Sequence, residues 1–184
     1  MNYYFTSDLH FCHDKDFIYG PRGFKSVEEH DDIIINNINS VVQPDDVLFI
    51  LGDIMLNNND KGLKYLNRIN CEKVNIIFGN HDTISRQGLY YHETDCFVLG
   101  YAHLFQYNSY HFMLSHYPTL TDNNDSDKPL KRRVINLCGH THTKDKFVDW
   151  DKGLIYHVEL DAHNNYPVHI DQIIKDIQNK LNER

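Results

Sequence analysis

Val47-Leu48-Phe49-Ile50-Leu51 is a run of five apolar residues stopped by Gly52-Asp53. A strand of that length without polar alternation must be covered on both faces, which demands a layered fold. Val74-Asn75-Ile76-Ile77-Phe78 repeats the pattern and stops at Gly79, and Tyr3-Tyr4-Phe5-Thr6 reads as a buried strand ending at Ser7-Asp8. Between these runs, Ser26-Val27-Glu28-Glu29 forms a capping box. It opens a helix whose apolar positions Ile33, Ile34, Ile38, Val41 and Val42 recur near helical spacing. Residues 62–69 read as a short helix with Leu63 and Leu66 on one side, and the polar stretches 57–60 and 121–128 read as surface loops rimming the strand ends. From Cys96 onward, segments 96–99, 104–107, 111–114, 134–137 and 154–158 read as strands, and Asp171 begins a last helix with Ile173, Ile174, Ile177 and Leu181 facing inward. The order, βαβαβ followed by strands, is that of a layered α/β sandwich in a single domain over residues 1–184.

Five fragments follow these runs: Asp8-Leu9-His10, Gly52-Asp53, Gly79-Asn80-His81-Asp82, Ser115-His116 and Gly139-His140-Thr141-His142. Any one of these histidines alone would be an ordinary surface or core residue. Together, at the carboxyl ends of strands where open α/β sheets collect ligands, they imply a centre holding two metal ions. Carboxylate, imidazole and amide donors suit Mn²⁺ first, with Fe, Zn²⁺ or Ni²⁺ as alternatives, rather than an all-oxygen Mg²⁺ site. Gly52, Gly79 and Gly139 let the chain turn sharply into the crevice. His140 and His142, two residues apart, would lie on the same side of an extended segment, each able to serve one of two adjacent ions.

The five fragments, in this order, resemble the DxH, GD, GNH[DE], H and GHxH pattern of the calcineurin-like metallophosphoesterase superfamily, over residues 1–142. The resemblance implies a four-layer αββα sandwich of two mixed sheets flanked by helices. It implies that Asp8, His10, Asp53 and His142 bind one metal, and that Asp53 bridges to a second completed by Asn80, His116 and His140. His81 would contact phosphate and assist the leaving group, oriented by Asp82; capping the helix that follows is the rival role for Asp82. Two divalent ions about 3.5–4 Å apart can share a hydroxide acidic enough to exist near neutral pH. With two aspartates and that hydroxide, the centre would keep a charge of about +1, attractive to an anionic phosphate. The tail beyond residue 142 carries no family catalytic motif.

Outside those fragments, His13 closes the stretch from Asp8 and is a candidate for substrate contact, as is Arg22, either a phosphate fork or a loop-stabilising arginine. Arg132 and Arg133 read as a solvated basic pair, and His30, His92, His103, His111, His157, His163 and His169 as structural. Cys12 stands where glycine is frequent in the first family motif and Cys138 where histidine often precedes GHxH, substitutions that bear on metal preference or redox sensitivity. The four cysteines form no CxxC pair, so reduced thiols are expected.

These residues predict an enzyme hydrolysing a small phosphomonoester or phosphodiester, including nucleotide-derived ones. The alternatives are a non-catalytic metal-binding module on the same fold and a phosphoprotein phosphatase. The latter typically carries GDxVDRG, whereas this chain has Gly52-Asp53-Ile54-Met55-Leu56-Asn57. A net charge of −8 disfavours a long nucleic acid partner. The start of the chain has no basic region or cleavage site and no apolar run reaches spanning length, so a cytoplasmic protein without membrane contact is expected. Oligomeric state leaves no signal.

Overall fold

The computed structural model describes residues 1–121 and 128–183. Most of the polar loop expected over 121–128 therefore lies outside the described residues. The elements run β1 (Tyr3–Thr6), α1 (Asp16–Tyr19), α2 (Val27–Val41), β2 (Val47–Leu51), α3 (Asn59–Leu66), β3 (Lys73–Ile77), α4 (Ile84–His92), β4 (Phe97–Gly100), β5 (Ala102–Tyr107), β6 (Tyr110–Ser115), β7 (Val134–Cys138), α5 (Trp150–Gly153), β8 (Ile155–His157), β9 (Val168–His169) and α6 (Ile170–Asn182). Two mixed sheets form, in the orders β4-β3-β2-β1-β9 and β5-β6-β7-β8. In the first, β1 to β4 are parallel and β9 is antiparallel to β1; in the second, β5 is antiparallel to β6 while β6, β7 and β8 are parallel.

β2 shows why its sequence lacks alternation. Leu48 and Ile50 point into a core shared with Ile34, Ile35 and Ile38 of α2, Tyr65 of α3 and Tyr90 of α4. Val47, Phe49 and Leu51 point into a second core, between the sheets, with Phe112, Leu114, Ile135 and Leu137. Ile170, Ile173 and Ile177 of α6 close that second core, and Tyr156 of β8 donates from its hydroxyl to Asp176 at 2.8 Å. The expected layering, helices against two facing sheets, is present.

Local differences from the sequence reading have local causes. The Asn58 side chain accepts from the Lys61 N–H and starts α3 at Asn59, ahead of the expected Gly62, so the polar stretch 57–60 is partly a helix start rather than all loop. Ser26 caps α2 by accepting from the Glu29 N–H, but Glu29 reaches back to the N–H of Lys25 rather than of Ser26. The inward face of α2 begins earlier than its apolar positions suggest, with His30 and Asp31 buried one turn before Ile34 and Ile35. Among the described residues no helix is long and apolar enough to cross a membrane.

Candidate metal centre

The parallel runs point their carboxyl ends the same way, so Asp8 after β1, Asp53 after β2, Asn80 after β3, His116 after β6 and His140 after β7 converge at one edge. Five of the side chains sit on left-handed backbone: Asp8 (φ 58°), His10 (52°), Asp53 (56°), His140 (77°) and His142 (50°). Such non-glycine conformations are uncommon, cost on the order of 1 kcal/mol each, and concentrate at functional sites. They also correct the expectation for the GHTH segment: it is not extended, and His140 and His142 part because the chain turns at each. Glycine contributes by close approach. A Cβ on Gly52 would lie 2.6 Å from His116 Nδ1, and one on Gly79 would press on Asp53 Oδ1.

Two groups result, Asp8 with His10 and His142, and Asp53 with His116 and His140; within each, one ligand atom per residue lies within 4.8 Å of the others. His10 Nε2 is 3.1 Å from His142 Nε2, and Asp8 Oδ1 is 3.8 and 3.6 Å from them. His116 Nε2 is 2.9 Å from Asn80 Oδ1 and 3.2 Å from His140 Nδ1. Asp53 Oδ2 stands between the groups, 3.8 Å from His10 Nε2 and 3.4 Å from His116 Nε2. Each carboxylate spends one oxygen on the protein and turns the other inward. Asp8 Oδ2 accepts from Ser7 Oγ and the His140 N–H; Asp53 Oδ1 accepts from the His81 N–H.

These residues fit divalent metals. Asp8 Oδ1 is buried without a hydrogen-bond partner among the described residues, a costly state that a cation would relieve. Burial disfavours protonation of His116, yet the Asp53 and Asp8 carboxylates push it up to about 9, so the edge is short of positive charge. The outer nitrogens of the imidazoles are tethered: His116 Nδ1 to the Leu51 carbonyl at 2.8 Å, His10 Nδ1 to His13 Nδ1 at 3.2 Å, and His142 Nδ1 to Asp161 Oδ2 at 3.1 Å.

A cavity of about 450 Å³ opens on the centre, lined by His10, Asp53, Asn80, His140 and His142 together with His13, Phe17, Ile18 and His81. His81 is held through its backbone, its N–H on Asp53 and its carbonyl accepting from Arg86 Nη1, with its ring 5.4 Å from that of His10. A larger hollow, about 540 Å³, lies at the amino ends of β3 and β4, beside Cys71, His92, Glu93 and Asp95; among the described residues no metal-ligating triad forms there.

The structure reassigns three sequence expectations. Asp82 neither caps α4 nor is spent on His81: its oxygens accept from the N–H groups of Asp53, Ile54 and Gly79 and from the Tyr90 hydroxyl, lashing together the loops after β2 and β3. Arg22 is the loop-stabilising arginine rather than an open phosphate fork. Its buried guanidinium is shared among Asp161, the Asp8 carbonyl and His30 Nε2. Cys12 and Cys138 are buried and belong to neither group, and burial together with Asp31 pushes the Cys12 thiol up to about 12. His13 lines the cavity while touching His10.

Sequence reasoning missed Asp161, Phe17 and Tyr117. Asp161 follows His142 by 19 residues without any motif. Burial opposes its ionisation, but the His142 and Arg22 hydrogen bonds outweigh that and hold its carboxyl well below the usual range. Tyr117 packs edge-on against His140, ring centroids 4.7 Å apart, and its only sequence signal was its place beside His116.

A family model described as the calcineurin-like phosphoesterase superfamily domain matches residues 1–158. The uncharacterized protein MJ1445 of Methanocaldococcus jannaschii is 32% identical over 181 residues, covering 95% of this chain and 90% of its own length. The gene 66 protein of Mycobacterium phage L5 is 29% identical over 165 residues, covering 77% and 78%. A solved structure, the protein of unknown function AQ665 from Aquifex aeolicus, superposes with a TM-score of 0.71 at 21% identity, covering 95% of this chain and 98% of that one, and so shares the fold.

Proposed function

The chain belongs to the calcineurin-like phosphoesterase superfamily, and on that premise we propose that it hydrolyses a small phosphodiester with the help of two divalent metal ions, Mn²⁺ first among them. The observation that carries this reading is Asp53 Oδ2, turned inward between two ligand groups at one sheet edge. When bound, the ions supply Lewis acidity toward phosphoryl oxygens and lower the pKa of water.

The protein's own share is positioning. Asp8 and Asp53 are each aimed by hydrogen bonds on one oxygen, and Asn80 contributes a neutral donor where a third carboxylate would erode attraction for an anion. His81 lines the cavity with its backbone pinned at both ends, which supports the reading that it contacts phosphate and protonates the departing oxygen. Phe17 and Ile18 give one wall carbon-only side chains against which the organic part of an ester would lie.

Diester is favoured over monoester because no lysine or arginine lines the cavity among the described residues, and Arg22 is committed elsewhere. A monoester dianion would have to be neutralised by the ions and His81, with no lysine or arginine beside them. The same lack of arginine speaks against a phosphoprotein phosphatase, and the retention of Asp53 and His81 against a non-catalytic module. The test compares bis(p-nitrophenyl) phosphate with p-nitrophenyl phosphate under Mn²⁺, Ni²⁺, Zn²⁺ and Mg²⁺. Faster diester turnover is expected; protein holding two metal equivalents and inert toward both esters would overturn the reading.

A further inference from the structure

Asp161 lies beyond the family-matched residues, in a 3-10 turn, Leu160–His163. Its Oδ2 is 3.1 Å from Nδ1 of His142, on the side of the ring opposite Nε2, which faces Asp8 Oδ1 at 3.6 Å and His10 Nε2 at 3.1 Å. His142 is the loosely held member of its group. Its side chain is 31% exposed, against 0% for Asp8 and 2% for His10. Packing therefore fixes the other two ligands, while His142 needs a tether.

Arg22 supplies the anchor for that tether. Its Nε reaches Asp161 Oδ1 at 3.2 Å, and its Nη2 reaches Oδ2 at 2.7 Å and the main-chain carbonyl of Asp8 at 2.9 Å. Behind it, Nη1 is 3.0 Å from His30 Nε2, His30 Nδ1 is 2.8 Å from Asp31 Oδ1, and Asp31 Oδ2 accepts from the Cys12 N–H at 2.8 Å. One guanidinium thus holds the tail carboxylate and the backbone of a ligand from the first strand end in fixed relation.

We propose that Asp161 is a positioning residue for the Asp8–His10–His142 group, keeping the His142 proton on Nδ1 and its Nε2 lone pair on the metal, with Arg22 holding Asp161 in register. The inference rests on the reading that this group binds a divalent ion. It makes the segment after residue 158 part of the centre rather than packing alone. Carboxylate partners of ligating histidines fix tautomer and ring orientation, and their loss typically weakens metal binding roughly 10–100-fold.

The test is calorimetric titration of metal-stripped wild type, Asp161→Asn, Asp161→Ala and Arg22→Lys with Mn²⁺ and with Zn²⁺, alongside thermal unfolding of each metal-free protein. Asp161→Ala should weaken one of two equivalents by roughly 10–100-fold and leave the other within about threefold. Asp161→Asn keeps an acceptor oxygen of the same shape and should recover part of the loss, and Arg22→Lys should shift the same equivalent by less. Unchanged affinities in Asp161→Asn and Asp161→Ala, or equal weakening of both equivalents, overturn the inference, whatever happens to the unfolding temperature. Wild type that binds no metal instead removes the reading beneath it. Should Asp161→Ala fail to fold, the isosteric Asp161→Asn decides.

Discussion

The main-chain N–H of Asp53 donates to Asp82 Oδ2 at 2.8 Å, so the carboxylate that faces both ligand groups hangs from a second, buried carboxylate. Gly79 donates to the same oxygen at 2.7 Å, and Tyr90 to Oδ1 at 2.7 Å. Asparagine at 82 would set an NH₂ against backbone donors at one of these oxygens. Asp82→Asn is expected to cost about 1–3 kcal/mol in urea unfolding of the metal-free protein, the price of stranding buried donors, and to weaken metal binding with it. Lower turnover at unchanged stability and metal affinity would instead return Asp82 to the role of orienting His81.

His81 should behave in the opposite way. Its side chain belongs to neither ligand group, and its hold on Asp53 is through the backbone. His81→Ala is therefore expected to keep two metal equivalents and its unfolding midpoint while losing roughly 10²–10⁴-fold in kcat, the usual worth of a placed general acid. Metal analysis beside turnover numbers checks this; full activity would remove His81 from the mechanism.

Two glycines make a matched pair for the close-approach argument. A Cβ on Gly79 would press on Asp53 Oδ1 and lie 2.7 Å from the Asp53 nitrogen, whereas one on Gly88, inside α4, meets nothing within 4 Å. Gly79→Ala should destabilise by about 1–3 kcal/mol through overpacking and disturb metal binding at Asp53. Gly88→Ala should stabilise by about 0.5–1 kcal/mol because alanine loses less backbone entropy in a helix. Chemical denaturation of both variants reads the contrast.

What the sequence revealed depended on how local each signal was. β2 was legible because two-sided burial writes itself into five consecutive apolar residues. The ligand fragments were legible because each pairs a strand end with its donors over a few positions. The pairing of Arg22 with Asp161 was not, because it spans 139 residues and neither position, Arg22 with its two candidate roles included, carries a pattern that names its partner. β9 is two residues long and owes its existence to pairing with β1, a tertiary cause that no periodicity reports. The left-handed turns at His140 and His142 escaped for a related reason: alternation assumes extended backbone, and the ligand geometry overrides it.

His163 carries the prediction for pH. It was read from sequence as structural, and its Nε2 donates to the His157 carbonyl at 3.0 Å beside the ring of Tyr156. Burial, reinforced by the Lys146 charge, lowers its pKa from 6.5 to about 4, against the smaller opposing effects of that hydrogen bond and of Asp176. Between those values the unfolded chain binds a proton that the native state refuses, so stability rises with pH across the window and is lost as pH falls from about 6.5 toward 4. At one pKa unit per 1.36 kcal/mol, the full loss is on the order of 3 kcal/mol. His163→Gln keeps an N–H for the carbonyl and has nothing to titrate. Urea unfolding of metal-free wild type and variant at pH 7 and near pH 4.5 should show the wild type losing about 2 kcal/mol more than the variant over that interval. A constant difference between the two proteins would mean that His163 is not held neutral in the fold.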